Sequence, residues 1–208
     1  GGTEADRIFY ALDATQSTPT TPPHPYGSLI TADQIDDVGA FALETGYDVV
    51  FTLNAGWGAR PRGTWDPSQA RELMRYTRQR GDPFRVWELG NEPNAWPLFH
   101  EGLFVSPEAY ARELHLLASV RDVECPDGLI SAPSTAWWPL IGDVPKVTLS
   151  RLGLGKPAPL RVARRFLTRV LEASASLTPP DIVSWHFYPG LSNRSVLARY
   201  HSHARAFF

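Results

Sequence analysis

The sequence is short of several things, and each shortage excludes something. It holds one cysteine, Cys125, among 208 residues, so neither an intrachain disulfide nor a cysteine-based zinc site can form. No run of about 18 apolar residues occurs, and no transmembrane helix is expected. Neither charge is in excess: 20 basic and 22 acidic residues give a net charge of −2. A chain without a basic footprint is not expected to bind nucleic acid. No glycine-rich phosphate loop follows any of its apolar runs, which weakens a nucleotide-binding reading. Metal ligands do not cluster, and His201-Ser202-His203 reads as a solvated helical turn. No metal and no cofactor are expected. Beginning at Gly1 without a leader pattern, the chain reads as processed or as an excerpt.

What is abundant is also informative. With 16 glycines, 19 prolines and 7 tryptophans, the composition suits long structured loops carrying aromatic rings rather than a plain helical bundle. The short apolar run Ile8–Leu12 leads into a Thr/Pro-rich stretch, Ala14 to Ser28, which reads as loop. Thr31 and Gln34 form a capping-box pattern. Ile35, Val38, Phe41 and Ala42 follow at helical spacing, and Gly46 is a stop signal. Tyr47–Leu53 reads as a buried strand. Asp66 and Pro67 open a helix with Ala70, Leu73, Met74 and Thr77 inward, ended by Gly81. Phe84–Leu89 is a second strand. Ser106-Pro107 opens a helix with Tyr110, Leu114 and Leu117 on one face. Gly128–Ala132 is a short strand, and Pro133–Pro159 reads mostly as loop. Arg161–Leu177 is helical, with Val162, Phe166, Val170 and Leu171 inward. Asp181–His186 is a strand and Ser195–Ala206 a helix.

Short apolar strands alternating with helices predict parallel βα units with a sheet buried on both faces. A doubly wound sheet and a (β/α)8 barrel both fit. Asn54, Asn91-Glu92 and His186 each fall just past the end of a strand, the rim that carries the active site in a barrel.

The sharpest signal is Trp87-Glu88-Leu89-Gly90-Asn91-Glu92-Pro93-Asn94, an apolar strand running into two polar residues and a proline. A carboxyl hemmed in by aromatic and proline residues is desolvated, the environment that equips a carboxyl to act as a general acid. An adjacent amide such as Asn91 can hold a sugar hydroxyl. On residues alone, Asn54 is either a turn former before Gly56 or a ligand. His186 is likewise either a core histidine or a site residue. The loop tryptophans Trp57, Trp65, Trp96, Trp137 and Trp138 either stack on sugars or plug their loops onto the barrel, with Trp137-Trp138 the best candidate for stacking.

The Glu88–Asn94 stretch resembles the acid/base strand of clan A retaining glycosidases. With Trp87 and Asn94 included, it is similar to the heparanase-like glycoside hydrolase family 79. Three further stretches agree in order. Gly1-Gly2-Thr3 with Asp6 resembles the exit of that family's second strand, Leu53-Asn54-Ala55 its third, and Ser184-Trp185-His186-Phe187-Tyr188 its sixth. The resemblance implies an α/β fold, an incomplete (β/α)8 barrel from the end of strand 2 through helix 6. Residues 1–208 would be one partial catalytic domain lacking strands 1, 7 and 8 and most of 2. It implies Glu92 as proton donor and later base, and Asn91 as the ligand of the 2-hydroxyl. His186, Tyr188, Thr3, Asn54 and Trp137 would line the substrate site. The family's nucleophile is a glutamate after the seventh strand, and no carboxylate follows Asp181 here. This chain alone is therefore expected to be inactive, with a second chain or further sequence completing the barrel.

The implied partner is a glucuronide-containing glycan. A heparan-type polyanion would need cations around the cleft, yet Ser134–Trp138 carries none, leaving Arg60 and Arg62 to supply positive charge. Two alternatives stand beside this reading: a non-catalytic half-barrel serving as scaffold, and another clan A glycosidase sharing only Asn91-Glu92-Pro93. The family resemblance and a sequon at Asn193 suggest a secreted, lysosomal or cell-surface protein.

Overall fold

The computed structural model describes residues 2–13, 15–17, 26–136 and 158–186. After a 3-10 turn over Thr3–Arg7, strands β1 (Ile8–Ala11) and β2 (Ser28–Thr31) pair in parallel as a small separate ribbon. Helix α1 (Ala32–Thr45) leads to β3 (Val49–Leu53), and α2 (Ser68–Arg80) leads to β4 (Phe84–Leu89). The short α3 (Trp96–Phe99) and the long α4 (Pro107–Glu124) precede β5 (Leu129–Thr135), and α5 (Ala158–Ala175) precedes β6 (Ile182–Trp185). Strands β3, β4, β5 and β6 are parallel and lie side by side in chain order. Parallel neighbours joined through helices make a partial (β/α)8 barrel.

The local signals act as expected. Thr31 Oγ1 accepts from the Gln34 amide, and Gln34 Oε1 accepts from the Thr31 amide, closing the capping box. Ser106 caps α4 by accepting from Ala109 N–H. Gly46 and Gly81 end their helices in the left-handed conformation that a stop requires. Parallel register aligns Phe51, Trp87 and Ile130 in one row. These residues belong to a core shared with Leu73 and Met74 of α2, Tyr110, Leu114 and Leu117 of α4, and Phe166 and Val170 of α5.

Several boundaries and faces differ from expectation. Ser28–Thr31 is a strand rather than the loop end, because β1 supplies a partner distant in sequence. Helix α1 turns Ile35, Gly39 and Ala42 inward, whereas Val38 and Phe41 are exposed. Gly39 faces Asp82 so closely that a Cβ there would lie 2.5 Å from the carboxylate. Asp66 accepts from the Ser68 amide, and Pro67 occupies the cap position. β5 runs on to Thr135, which moves Pro133–Thr135 from loop into strand. Val162 on α5 is exposed, and Ala163 and Leu167 share the buried face instead. The helix expected at Ser195–Ala206 lies outside the described residues.

The loop after β3 is fixed by a buried ion pair. Arg60 meets Glu113 of α4 in a two-pronged contact of 2.6 and 2.7 Å, with the arginine side chain 1% exposed. Its Nε–H donates to the Ala55 carbonyl, and its guanidinium lies 5.3 Å from the Trp96 ring centre. Breaking one half of such a pair strands the other charge. Glu113→Ala is therefore expected to lower stability by about 3–5 kcal/mol. The double replacement Arg60→Met with Glu113→Leu should cost less than the single one. Urea unfolding of the three proteins checks both statements, and a single replacement costing no more than the double would refute them.

Candidate active site

The β5 and β6 exits meet Glu92, just past β4, and the 3-10 turn joins the β3 exit to the neighbouring Asn91 through Asp6. Glu92 follows β4 in a left-handed backbone conformation, φ 53°, ψ 53°, and is 6% exposed. Left-handed non-glycine residues cost on the order of 1–3 kcal/mol and persist only where neighbours fix them. Here the Glu92 amide donates to the Ser134 carbonyl at 3.0 Å. Ser134 is itself left-handed, φ 50°. Asn94 exchanges two hydrogen bonds with the Ala136 backbone, 2.8 and 3.1 Å, tying the β4 and β5 exits together.

His186, just past β6, sits beside the carboxyl. Its Nδ1 is 2.7 Å from Glu92 Oε1, and its Nε2 is 3.0 Å from Ser134 Oγ. With Nδ1–H donating to Glu92 Oε1, Nε2 accepts the serine hydroxyl proton. The structure thus brings the expected proton donor and His186 into contact, and adds Ser134, for which no side-chain role was expected.

Asp6, expected only as part of the second-strand exit, makes contacts that the sequence did not foretell. Its carboxylate is buried and accepts the backbone N–H of Ala55 at 3.1 Å, the backbone N–H of Asn91 at 3.0 Å and the indole N–H of Trp96 at 2.9 Å. His100 Nε2 lies 3.5 Å away. One charged acceptor therefore holds the β3 and β4 exits at once. Asn91 is buried with its backbone fixed at both ends by Asp6 and Trp96, while its side-chain amide bonds to none of the described residues. Tyr110 donates to the Leu89 carbonyl at 2.6 Å and secures the end of β4. Burial pushes this phenol well above its ordinary range, so it stays protonated and the bond persists.

Asn54 is tied down. Its Nδ2 donates to the Ile8 carbonyl at 2.7 Å and its Oδ1 accepts from Gly56 N–H at 2.9 Å. Its backbone N–H donates to the Tyr10 hydroxyl. Thr3 begins the 3-10 turn and is half-buried. Tyr188, Trp137, Trp138 and Asn193 lie outside the described residues. Trp65 and Trp96 are buried and donate their indole N–H groups inward, to Asn54 O, and to Asp6 and Asn91 O. Half-buried Trp57 donates to the His100 carbonyl. Arg60, expected to lend charge to the rim, is withdrawn into its pair with Glu113, while Arg62 is exposed. Among the described residues no group of three or more His, Cys, Asp or Glu could hold a metal ion. Nor is any described helix long and apolar enough to cross a membrane.

The fold is that of a partial (β/α)8 barrel with its polar residues gathered at the strand exits. A bifunctional glucanase-xylanase, CelM2, from a metagenome library superposes with a TM-score of 0.58 at 14% identity, covering 100% of this chain and 55% of that one. Residues 1–125 match the N-terminal domain of glycosyl hydrolase family 79, and the chain belongs to that family. Baicalin-beta-D-glucuronidase of Scutellaria baicalensis is 30% identical over 139 residues, 54% of this chain and 26% of that protein. Heparanase of Gallus gallus is 42% identical over 67 residues, 32% of this chain and 12% of that one. Human inactive heparanase-2 is 37% identical over 77 residues, 36% and 12% of the respective chains. The chain thus spans about a quarter or less of these relatives' length.

Asp6→Asn turns one acceptor oxygen into a donor facing N–H groups. It is expected to destabilise the protein by about 1–3 kcal/mol or more, the cost of leaving buried donors unpaired. Denaturant unfolding followed by tryptophan fluorescence measures it, and a wild-type midpoint would show that the clamp is dispensable.

Proposed function

We propose that the protein carrying this chain is a retaining glycoside hydrolase of heparanase or β-glucuronidase type, with residues 1–208 as the middle of its catalytic barrel. The observation that carries this reading is the buried carboxyl of Glu92 at a strand tip, held by Ser134 and His186, beside the Asn91 amide, which bonds to none of the described residues. Glu92 protonates the departing glycosidic oxygen while a second carboxylate, about 5–5.5 Å away, attacks the anomeric carbon. Glu92, now ionised, then takes a proton from the water that releases the sugar. The nucleophile comes from sequence outside this chain or from a partner chain. Asn91 binds the 2-hydroxyl, and Thr3, His186, Tyr188 and Trp137 line the sugar site. Asn54 shapes that site through the turn it holds.

The substrate is a glucuronide-containing glycan or a plainer glucuronide. The burial of Arg60 against Glu113 leaves the third loop poorly equipped for a sulfated polyanion. Secretion, a lysosomal site or the cell surface accords with the family. A second reading, a non-catalytic barrel acting as scaffold, is favoured by the similarity to inactive heparanase-2.

Hydrolysis of an aryl β-glucuronide by the full-length protein separates the two. Glu92→Gln should lower kcat by about 10²–10⁴-fold, the usual worth of a positioned general acid. Equal rates for the native and substituted enzymes would remove Glu92 from the mechanism. A native protein that binds the glycan without cleaving it would favour the scaffold.

A further inference from the structure

Glu88 has no part in the chemistry above, yet it lies on an unusual layer of the barrel. Parallel register places Thr52, Glu88 and Ser131 in one row across β3, β4 and β5. Glu88 is 9% exposed. Its Oε2 accepts from Thr52 Oγ at 3.2 Å, and its Oε1 accepts from Ser131 Oγ at 3.2 Å and Ser184 Oγ at 2.8 Å. No described residue forms a salt bridge with it. Branched apolar residues dominate such layers in a barrel, and a buried carboxylate satisfied by hydroxyls alone is a costly substitute.

We propose that Glu88 is a positioning residue for the proton donor, acting through Ser184, Ser134 and His186; this rests on the assignment of Glu92 above. An ionised carboxylate only accepts, so it compels each neighbouring hydroxyl to donate to it. Ser184 has one proton to give. Committing it to Glu88 turns a lone pair of Ser184 Oγ toward the Ser134 amide, which donates to it at 3.0 Å. Ser134 needs such a hold, because its left-handed backbone is strained. Once held, Ser134 grips Glu92 twice. Its carbonyl accepts the Glu92 N–H, and its hydroxyl meets His186, whose other nitrogen meets the Glu92 carboxyl. The direction of every hydrogen bond from Glu88 to Ser134 is thus set by one charge. A glutamine in its place can donate as well as accept, and would release Ser184 to rotate.

The test uses the full-length protein and an aryl β-glucuronide. Glu88→Gln should lower kcat about tenfold to hundredfold with KM within about twofold, as misplacement of a reacting group does. The ring-nitrogen resonances of His186, read by 15N NMR, should shift with it. Ser184→Ala leaves Glu88 with Ser131 and Thr52 and should show the same two changes, so it serves if Glu88→Gln does not fold. A folded variant of either kind with native kcat and unshifted His186 resonances overturns the proposal, even if its Tm is lowered. If native and Glu92→Gln proteins cleave equally, the assignment of Glu92 falls by itself. The His186 resonances then decide alone: a shift upholds the relay and no shift overturns it.

Discussion

The carboxylate of Asp6 is the contact on which the rim depends. It is a buried charge whose compensation comes from N–H groups of two different strand exits and one indole. Removing a carboxylate from water is expensive, and the expense is offset only while all of its donors stay in place. The N-terminal turn is therefore wedged between the β3 and β4 exits. The glycines beside it show how tight the wedge is. A Cβ on Gly56 would lie 2.1 Å from the Asp6 carbonyl oxygen, and one on Gly90 would lie 2.6 Å from the Trp96 ring and 3.0 Å from Asp6 Oδ1. Gly90 also has φ 68°, a conformation that a side chain would strain. The left-handed turn at Glu92 follows directly on residues fixed in this way.

Beneath the rim, the sheet separates its two kinds of chemistry by alternation. One row, Phe51–Trp87–Ile130, joins the apolar core, and the next, Thr52–Glu88–Ser131, is polar. Successive side chains on a strand point to opposite faces. The same register that packs the aromatic row therefore also aligns the hydroxyls on Glu88. Packing and polar order are consequences of one set of backbone pairings, and a slip of one residue would destroy both.

This explains which features could be read from the sequence. The strands other than β2, the caps at Thr31 and Ser106 and the stops at Gly46 and Gly81 rest on neighbours within a few residues, and their patterns were legible. Glu92, Asn91 and His186 were legible as rim residues because each ends an apolar run. What was not legible depends on distant partners. Asp6 and Asn91 are 85 positions apart, His186 and Glu92 are 94, and Arg60 and Glu113 are 53. Nothing near Arg60 says that its guanidinium will be buried. Phe41 falls on the helical spacing of α1 yet faces outward, while Gly39, close against Asp82, turns inward with Ile35 and Ala42. Glu88 did leave a trace, as the one acidic residue in an otherwise apolar strand apart from Arg85 at its exposed start. What a carboxyl does there depends on Thr52, Ser131 and Ser184, which only the fold assembles.

The rim thereby divides into locked groups and available ones. Trp65, Trp96, Arg60 and Asn54 look like ligands in the sequence: two tryptophans, an arginine and an amide, all of kinds that bind sugars or acids. All four direct their polar atoms into the protein, to Asn54 O, Asp6, Glu113 and the Ile8 carbonyl respectively. A polar hydrogen already given to a buried partner is not available to a second acceptor without weakening that contact. The Asn91 amide, next in sequence to Glu92, bonds by contrast to none of the described residues. The composition that first suggested aromatic, sugar-stacking loops is in large part an anchoring device. Trp65, Trp96 and Trp57 steady the strand exits by donating their indole N–H groups to the Asn54 carbonyl, Asp6 and the His100 carbonyl.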